Sequence, residues 1–379
     1  MRFSFSAEQE EFRGTLRRAL EARSPTKEVR RLMATDEGFD REGWKRLNQE
    51  LGLTGLHIPE AYGGQGFGFG ELGIVLEEMG RSLLCAPYLS TVLAATAILN
   101  AGTEDQKKSL LPGLADGSVT ATLAFQEGNG GMEAASVAMT ASGSRGKYKL
   151  DGTKSFVLDG HTADLIVVVA RRKGTKGPNG LSFFTVAGDA AGLTRRKLKT
   201  MDETRKLAHL IFAGVEAKLL GAAGEGGAAF EKTMLQALVC LANEMVGGAD
   251  RLREDALEYV KMRMQFGRSI ASFQTTKNKA ADMLAEVELA KSAAYYAAAA
   301  LDDGDGDVPA LASLAKAQAS EAYLQTAIHA VQMHGGIGFT WDNDTHLWFK
   351  RAKSSEILFG DANEHREKMI QAWGQQAAE

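Results

Sequence analysis

Two segments in the last third of the chain carry residue types that suit a nucleotide. RMQFGRSIASFQ holds Arg263, Phe266 and Gln274, and QMHGGIGF holds Gln332, Gly335 and Gly336. A guanidinium at a helix end can pair with a diphosphate, and glycine lets a ligand approach the backbone closely. Taken alone, each segment is also consistent with an ordinary helix terminus and a solvated arginine.

One carboxylate lies in an otherwise apolar helical stretch. From residue 234 to 249 only three side chains are polar, and Glu244 is the acidic one. Burial moves a carboxyl group toward the titration range that a general base needs, so Glu244 is a candidate base. Gly247 and Gly248 follow one turn later on the same face, where we expect them to leave room for a substrate chain. The alternatives are a carboxylate paired with Arg251 or with a cation of a neighbouring subunit, and a solvated helix edge.

The composition excludes several classes of partner. The 379 residues include 44 Lys and Arg against 48 Asp and Glu, with a pI of about 6.1, so no basic surface for nucleic acid is expected. Cys85 and Cys240 lack metal-ligand spacing and are expected to be buried. No apolar run approaches the ~20 residues of a membrane span, and no apolar signal region is visible. We therefore expect a cytoplasmic protein with no metal and no membrane partner.

The elements that must position these residues fall into three blocks. Residues 1–118 have helical periodicity, 119–222 carry short β-branched and aromatic runs, and 223–379 return to the helical period. We predict an α+β multidomain protein with an N-terminal helical domain, a central small antiparallel β domain or barrel, and a C-terminal helical bundle.

Local signals predict the individual elements. Ser6 with Gln9, and Thr103 with Gln106, are typical of capping boxes at helix starts. Further helices are predicted at 72–84, 88–99, 227–264, 273–301, 310–336 and 362–374. Strands are predicted at 119–125, 147–150, 154–158, 165–170, 181–186 and 210–212. The GxGxxG pattern at residues 68–73 has no preceding strand, so we interpret it as a glycine-rich turn that enters a helix.

The motifs occur together and in a fixed order. RxxFG from Arg263, FQ ending at Gln274 and QxxGGxGF from Gln332 closely resemble the acyl-CoA dehydrogenases. The segments FSFSAEQEEFR, IPEAYGGQGFG, EEMGR and GTKSFVLDGHTADLIVVVA extend the resemblance over essentially the whole chain. The helical, β, helical order also agrees with that family.

The resemblance implies FAD-dependent oxidation of an acyl-CoA thioester to its α,β-enoyl form. In such enzymes a carboxylate removes the α proton, the β hydrogen leaves as hydride, and electrons pass to an electron-transfer flavoprotein. It also implies an oligomer, usually a dimer of dimers, in which FAD lies across a subunit boundary. The residues implied to contact its diphosphate and adenosine side are Arg263, Phe266, Gln274, Gln332, Gly335 and Gly336.

The flavin-ring side departs from the family pattern. The family's TEP tripeptide aligns with residues 126–128, and its aromatic-Ile-Thr run aligns with 156–158. Gln126 and Phe156 are the candidate contacts, and Phe156 can still stack on the ring. Leu158 cannot donate the hydroxyl hydrogen bond expected there, so we expect a weak or partly vacated ring site.

Both carboxylate positions of the family are apolar in this chain. The YEG tripeptide aligns with 358–360, which puts Phe359 at the base position, and a second family location aligns with Ala237. Glu244 is therefore the replacement that the resemblance leaves open. Leu235 and Leu238 stand where the family often has the Asp and Arg that hold coenzyme A.

Three further residues have assigned interpretations. Glu356 is expected to be a salt-bridge partner, and His334 a helix-packing residue. Asp361 replaces a small hydroxyl residue expected near the flavin, where its charge requires a compensating cation.

Two functional interpretations and one alternative follow. In the first, the chain is an active dehydrogenase for a bulky sterol- or terpenoid-like acyl group, with Glu244 as base. In the second, it is one subunit of a heteromer of the kind found in bacterial steroid degradation, and it completes the FAD site of a paralogous partner. The expected assembly is a homo- or hetero-tetramer with a paralogous subunit. The loss of flavin-side hydroxyls favours the second. The alternative, motivated by Phe359, is a catalytically silent scaffold.

Overall fold

Helices form the larger part of the chain. The computed structural model describes residues 5–128, 130–144 and 146–376. Its α-helices are α1 (Ala7–Arg23), α2 (Thr26–Met33), α3 (Arg41–Leu51), α4 (Phe69–Ser82), α5 (Tyr88–Ala101), α6 (Glu104–Ala115), α7 (Gly227–Met262), α8 (Gln274–Asp303), α9 (Val308–His334), α10 (Thr345–Ile357) and α11 (Ala362–Gln376).

Strands lie between α6 and α7, with one short hairpin after α7. They are β1 (Ala121–Ala124), β2 (Thr140–Ser144), β3 (Lys147–Leu158), β4 (Leu165–Arg172), β5 (Leu181–Ala187), β6 (Leu193–Lys197), β7 (Leu207–Leu220), β8 (Met264–Gln265) and β9 (Arg268–Ser269). The predicted order of helices, β domain and helices is therefore confirmed. The boundaries predicted at 118 and 222 stay a prediction.

The chain divides into two units. The helical unit comprises Met1–Arg31, Phe69–Leu84 and Leu238–Glu379. The barrel unit comprises Leu32–Gly68 and Cys85–Ala237. Helix α7 begins in the barrel unit and continues into the helical unit.

The described strands of the barrel unit form a closed sheet. Strands β4, β2, β3, β7 and β5 are neighbours in that order, and β5 pairs again with β4. Most pairs are antiparallel, as predicted, but β1 and β2 both pair with β4 in parallel. The predicted central β domain is therefore confirmed, and its two parallel pairings join strands that are distant in sequence, where no local signal marks the partner. The barrel is filled by apolar side chains such as Val168, Phe184 and Leu210.

Local signals located several elements correctly. Ser6 Oγ accepts the Gln9 amide hydrogen at 3.2 Å and Gln9 Oε1 accepts that of Ser6 at 2.9 Å, which confirms the capping box of α1. Thr103 and Gln106 form the same box at α6. The 68–73 turn does enter a helix: the backbone N–H groups of Phe69 and Gly70 donate to the Asp302 carboxylate at 2.7 and 2.9 Å.

Other elements were not predicted. Helices α2, α3 and α10 and strands β2, β6, β8 and β9 were missed. The two strands predicted within 147–158 form the single strand β3. Helix α10 buries Thr345, His346, Trp348 and Arg351 rather than a stripe of leucines, so its sequence has no simple helical hydrophobic pattern.

Helices α4 and α7 pack with their backbones nearly in contact. A Cβ added at Gly80 would lie 1.9 Å from the Glu244 carbonyl oxygen, and one added at Gly247 would lie 1.9 Å from the Glu77 carbonyl oxygen. Real Cβ atoms cannot approach so closely, so glycine at both positions sets the separation of the two helices.

Ion pairs also join α4 to its neighbouring helices. Arg17 forms a bidentate pair with Glu78, with nitrogen–oxygen distances of 2.9 and 2.6 Å, and Arg81 pairs with Asp250 at 2.9 Å. The EEMGR motif therefore joins α4 to α1 and α7, and positions the middle of α7 for the site below.

Candidate functional site

The first of the two segments predicted to bind a cofactor forms a tight hairpin directly after α7. Strands β8 and β9 pair through a two-residue turn, Phe266 and Gly267, whose φ angles are 53° and 75°. Two positive φ angles define a type I′ turn, which normally selects Asn-Gly. A phenylalanine in the left-handed region is strained, and this one is also 90% exposed. A strained, exposed aromatic side chain is typical of a binding position.

The start of α8 lies beside this hairpin. Phe273 is the N-cap of α8 and provides no side-chain cap, so the positive end of the helix dipole is open to an anion. The Arg268 guanidinium stacks over the Phe273 ring at 4.1 Å. Arg263 is exposed, and Gln274, the first residue of α8, is exposed with its amide donating to Asn278 at 2.9 Å. Arg268 and Phe273 were not singled out by the sequence, although both lie inside the RMQFGRSIASFQ segment.

The second cofactor segment follows α9. Gln332 is exposed, and no heavy atom lies within 4 Å of a Cβ added at Gly335 or Gly336. The His334 ring stacks on Tyr259 of α7 with 4.3 Å between ring centres, which confirms His334 as a helix-packing residue. This stacking brings the ends of α7 and α9, and with them both segments, to one end of the helical unit.

These observations fit the diphosphate and adenosine half of FAD. The site has open backbone at glycines, an exposed guanidinium, an uncapped helix N-terminus and exposed aromatic side chains. The roles of Arg263, Phe266, Gln274, Gln332, Gly335 and Gly336 stay a prediction until FAD is bound to the protein.

The two residues predicted to contact the flavin ring both lie in the barrel unit. Gln126 follows β1, and its carbonyl oxygen accepts the Ser155 amide hydrogen at 2.9 Å. Phe156 lies at an irregularity in β3, with φ 56° and 43% of its surface exposed. The hydrogen bond through Ser155 brings the two predicted contacts together. Phe156, like Phe266, is an aromatic residue held in the left-handed region.

The family's base position is occupied by a buried ring. Phe359 is 2% exposed with φ 62°, and its carbonyl oxygen accepts a hydrogen bond from His365 Nε2 at 2.7 Å. Burial lowers the pKa of His365 to about 4, so the imidazole is neutral. The buried Lys316 ammonium donates to the Glu356 and Gly360 carbonyl oxygens at 3.0 and 2.8 Å. This turn therefore holds its backbone firmly but presents no carboxylate at 359.

The neighbouring carboxylates have structural roles. Glu356 pairs with Lys353, which confirms it as a salt-bridge partner. Asp361 accepts the amide hydrogens of Asn363 and Glu364 at 2.9 and 3.0 Å and so caps α11. The N-terminus of α11 stabilises the charge of Asp361, and the expected position of this residue near the flavin stays a prediction.

Glu244 forms a buried ion pair. Arg351 of α10 donates to Glu244 Oε1 at 2.6 Å, and the two side chains are 5% and 9% exposed. Arg251, the partner weighed from the sequence, pairs instead with Asp255 at 2.9 Å. Catalysis by Glu244 stays a prediction, and the observed pair favours the structural alternative.

The expected space beside Glu244 is filled. Gly247 lies against the α4 backbone, as described above, and a Cβ added at Gly248 would lie 2.4 Å from the Tyr323 hydroxyl oxygen. The prediction that these glycines leave room for a substrate chain was therefore wrong. They are small because neighbouring elements pack against them.

The other replaced positions are also apolar. Ala237 and Leu238 are buried and Leu235 is half-buried, so none of them supplies a charge for coenzyme A or a base.

A polar cluster missed by the sequence interpretation lies within the barrel unit. Asn100 of α5 donates to Thr233 Oγ1 at 3.0 Å and to Gln236 Oε1 at 2.7 Å and fixes the start of α7.

The described part of the chain provides neither a metal-binding cluster nor a membrane-spanning helix. It contains no group of three or more His, Cys, Asp or Glu side chains placed to hold a metal ion. Over the same residues, no helix is long and apolar enough to cross a membrane.

Comparison with known proteins covers nearly the whole chain. Three family models match: the N-terminal domain of acyl-CoA dehydrogenase at residues 6–118, its middle domain at 122–215 and its C-terminal domain at 224–373. Acyl-CoA dehydrogenase IpdE2 of Mycobacterium tuberculosis is 31% identical over 89% of this chain and 88% of its own length.

Solved structures show the same fold. The Tcur3481-Tcur3483 steroid ACAD is 30% identical, with a TM-score of 0.88 over 98% of this chain and 99% of its own. Butyryl-CoA dehydrogenase from Megasphaera elsdenii is 27% identical, with a TM-score of 0.91 over 98% of this chain and 100% of its own.

The fold and the matched family models define a flavin-dependent class of oxidoreductase, in which a β-barrel domain comes after an N-terminal and before a C-terminal helical domain in the sequence. The chain belongs to the acyl-CoA dehydrogenase family, whose members act on CH–CH groups of acyl-CoA thioesters with FAD.

Proposed function

We propose that this chain is one subunit of a hetero-oligomeric, FAD-dependent acyl-CoA dehydrogenase, and that a paralogous subunit supplies the proton-abstracting carboxylate. One observation carries the proposal. The adenosine-side segments are open and intact, while every position that could hold a base is apolar or paired: Phe359, Ala237 and Glu244.

In this proposal the predicted site residues of the chain bind the cofactor. Arg263 and Gln274 bind the diphosphate and adenosine side of FAD at the seam between subunits, and Phe266 contacts the same nucleotide. Gln126 and Phe156 lie beside the ring. Bound FAD supplies the acceptor for the hydride that leaves the β carbon of the substrate. Electrons then pass to an electron-transfer flavoprotein, as is typical of the family.

We propose a bulky, steroid- or terpenoid-like acyl group as substrate. The support comes from one relative, the steroid ACAD named above, which is 30% identical to this chain. The absence of the family's Asp and Arg at Leu235 and Leu238 agrees with an altered coenzyme A site.

Co-purification tests the assembly. The chain is expressed alone and together with paralogous family members from its source, and the visible spectrum and native mass are recorded. We expect stable flavin absorption in a complex of the two chains and little flavin in the chain alone. Absence of flavin under every pairing would overturn the proposal, and a flavin-loaded homo-oligomer active on acyl-CoA would support the alternative with Glu244 as base.

A further inference from the structure

A buried lysine connects the two flavin-ring residues of the barrel unit. Lys154 of β3 is 0% exposed. Its ammonium donates to the Phe125 carbonyl oxygen at 2.9 Å and to Glu127 Oε1 at 2.7 Å. These two residues flank Gln126, so one ammonium binds the backbone carbonyl before that position and the side-chain carboxylate after it.

Glu127 extends the same network. Its carboxylate accepts the Ala138 amide hydrogen at 3.1 Å and the Met139 amide hydrogen at 2.9 Å, besides the Lys154 ammonium. The segment after β1 is thereby tied to the start of β2 and to β3. With the Ser155 bond to its carbonyl oxygen, Gln126 has its backbone fixed.

The other end of the network is the irregularity in β3. Lys154 pairs with Leu210 of β7, whereas Val157 pairs with Ala208, so two residues of β3 face the single residue His209. This is a β-bulge, a feature that re-aims side chains. Ser155 Oγ lies 2.9 Å from His209 Nδ1, and Phe156 takes the left-handed conformation that exposes its ring. Lys154 is the residue immediately before this bulge.

We propose that Lys154 is a positioning residue for the flavin ring: its ammonium locks the Gln126 segment to the β3 bulge and so fixes the wall, with Phe156, against which the ring binds. This rests on the proposed function, since it assumes that the protein binds FAD.

The cost of burying this cation supports a specific role. Burial lowers the pKa of Lys154 to about 8; the Glu127 carboxylate opposes that shift and the nearby Arg171 adds to it. An apolar side chain of similar length would avoid the desolvation but would release the two segments. Position 154 therefore requires the hydrogen bonds that the ammonium donates to Phe125 and Glu127.

FAD binding tests the role of Lys154. In the assembled protein, FAD affinity is measured by quenching of flavin fluorescence for wild type, Lys154→Met and a matched control, Lys206→Met. Lys206 is also buried in the barrel unit and donates to the Met33 carbonyl oxygen at 2.6 Å. We expect Lys154→Met to raise the Kd for FAD at least about tenfold and to shift the flavin absorption bands, and Lys206→Met to change the Kd less than about twofold.

The outcomes separate the two proposals. If wild type binds FAD and Lys154→Met binds it equally well with an unchanged spectrum, Lys154 is structural only and the inference is overturned. If Lys154→Met does not fold, Glu127→Gln is used in its place, because it keeps the side-chain volume and removes one charged hydrogen bond. This variant should raise the Kd for FAD about threefold. An unchanged Kd overturns the inference. If wild type binds no FAD in any pairing, the proposed function fails as well.

Discussion

Replacing Arg351 by methionine tests whether Glu244 is a structural partner or a base. In the helical unit the two side chains are 5% and 9% exposed and 2.6 Å apart. Removal of one partner leaves the other charge buried, which costs about 3–5 kcal/mol of unfolding free energy. We therefore expect Arg351→Met to lower the stability of the protein by that amount, measured by urea unfolding at pH 7.

The double variant carries the sharper expectation. Replacement of both charges by apolar groups of similar size is often nearly neutral, so Glu244→Leu with Arg351→Met should recover to within about 1 kcal/mol of wild type. Arg251→Met is the matched control, because Arg251 pairs with Asp255 where both side chains are 37% exposed. It should cost no more than about 0.5 kcal/mol.

Activity of the same variants separates the two roles. If Glu244 is structural, the folded double variant in the assembled protein should reduce bound FAD with acyl-CoA at a rate within about threefold of wild type. A stable double variant that loses about a thousandfold or more in this rate would identify Glu244 as the base and refute the assignment above. A double variant as unstable as Arg351→Met would refute the energetic argument.

Three further predictions concern single side chains. The pKa of Lys154 is about 8 in the folded protein and 10.5 in the unfolded chain, so the unfolded chain binds more protons between these pH values. The free energy of unfolding of wild type should therefore rise by up to about 3 kcal/mol relative to that of Lys154→Met between pH 7 and pH 10.5. Urea unfolding of both proteins at each pH measures this difference. Gly247→Ala should lower the free energy of unfolding by at least about 2 kcal/mol, because the added methyl group overpacks against Glu77. At Gly374 no heavy atom lies within 4 Å of an added Cβ, so Gly374→Ala should stabilise α11 by up to about 1 kcal/mol. Thermal melts measure both effects. Phe266→Asn should relieve about 1 kcal/mol of turn strain yet weaken FAD binding, and an unchanged Kd for FAD would contradict its role as a contact.

The sequence predicts what local chemistry determines. The capping boxes at Ser6 and Thr103 form because the cap and its partner are three residues apart. The glycine-rich entry to α4 and the packing role of His334 were also recognised correctly. For the capping boxes and the entry to α4, the signal lies within one element or one turn of it.

Pairings between distant residues account for what the sequence could not predict. Arg351 lies 107 positions from Glu244, and nothing near Glu244 distinguishes a free buried carboxylate from a paired one. Gly247 suggested open space because an isolated helix has space there, whereas α4 fills it in the fold. Lys154 was unremarkable within its motif until β1, β2 and β3 came together around it.

We propose that Arg263 and Gln274 bind the diphosphate and adenosine side of FAD across a subunit boundary. A solved structure of the flavin-loaded assembly would give the distances between these side chains and the nucleotide. We expect both side chains within hydrogen-bond distance of a nucleotide whose flavin ring lies on another chain. FAD bound elsewhere, with Arg263 and Gln274 both facing solvent, would contradict the account.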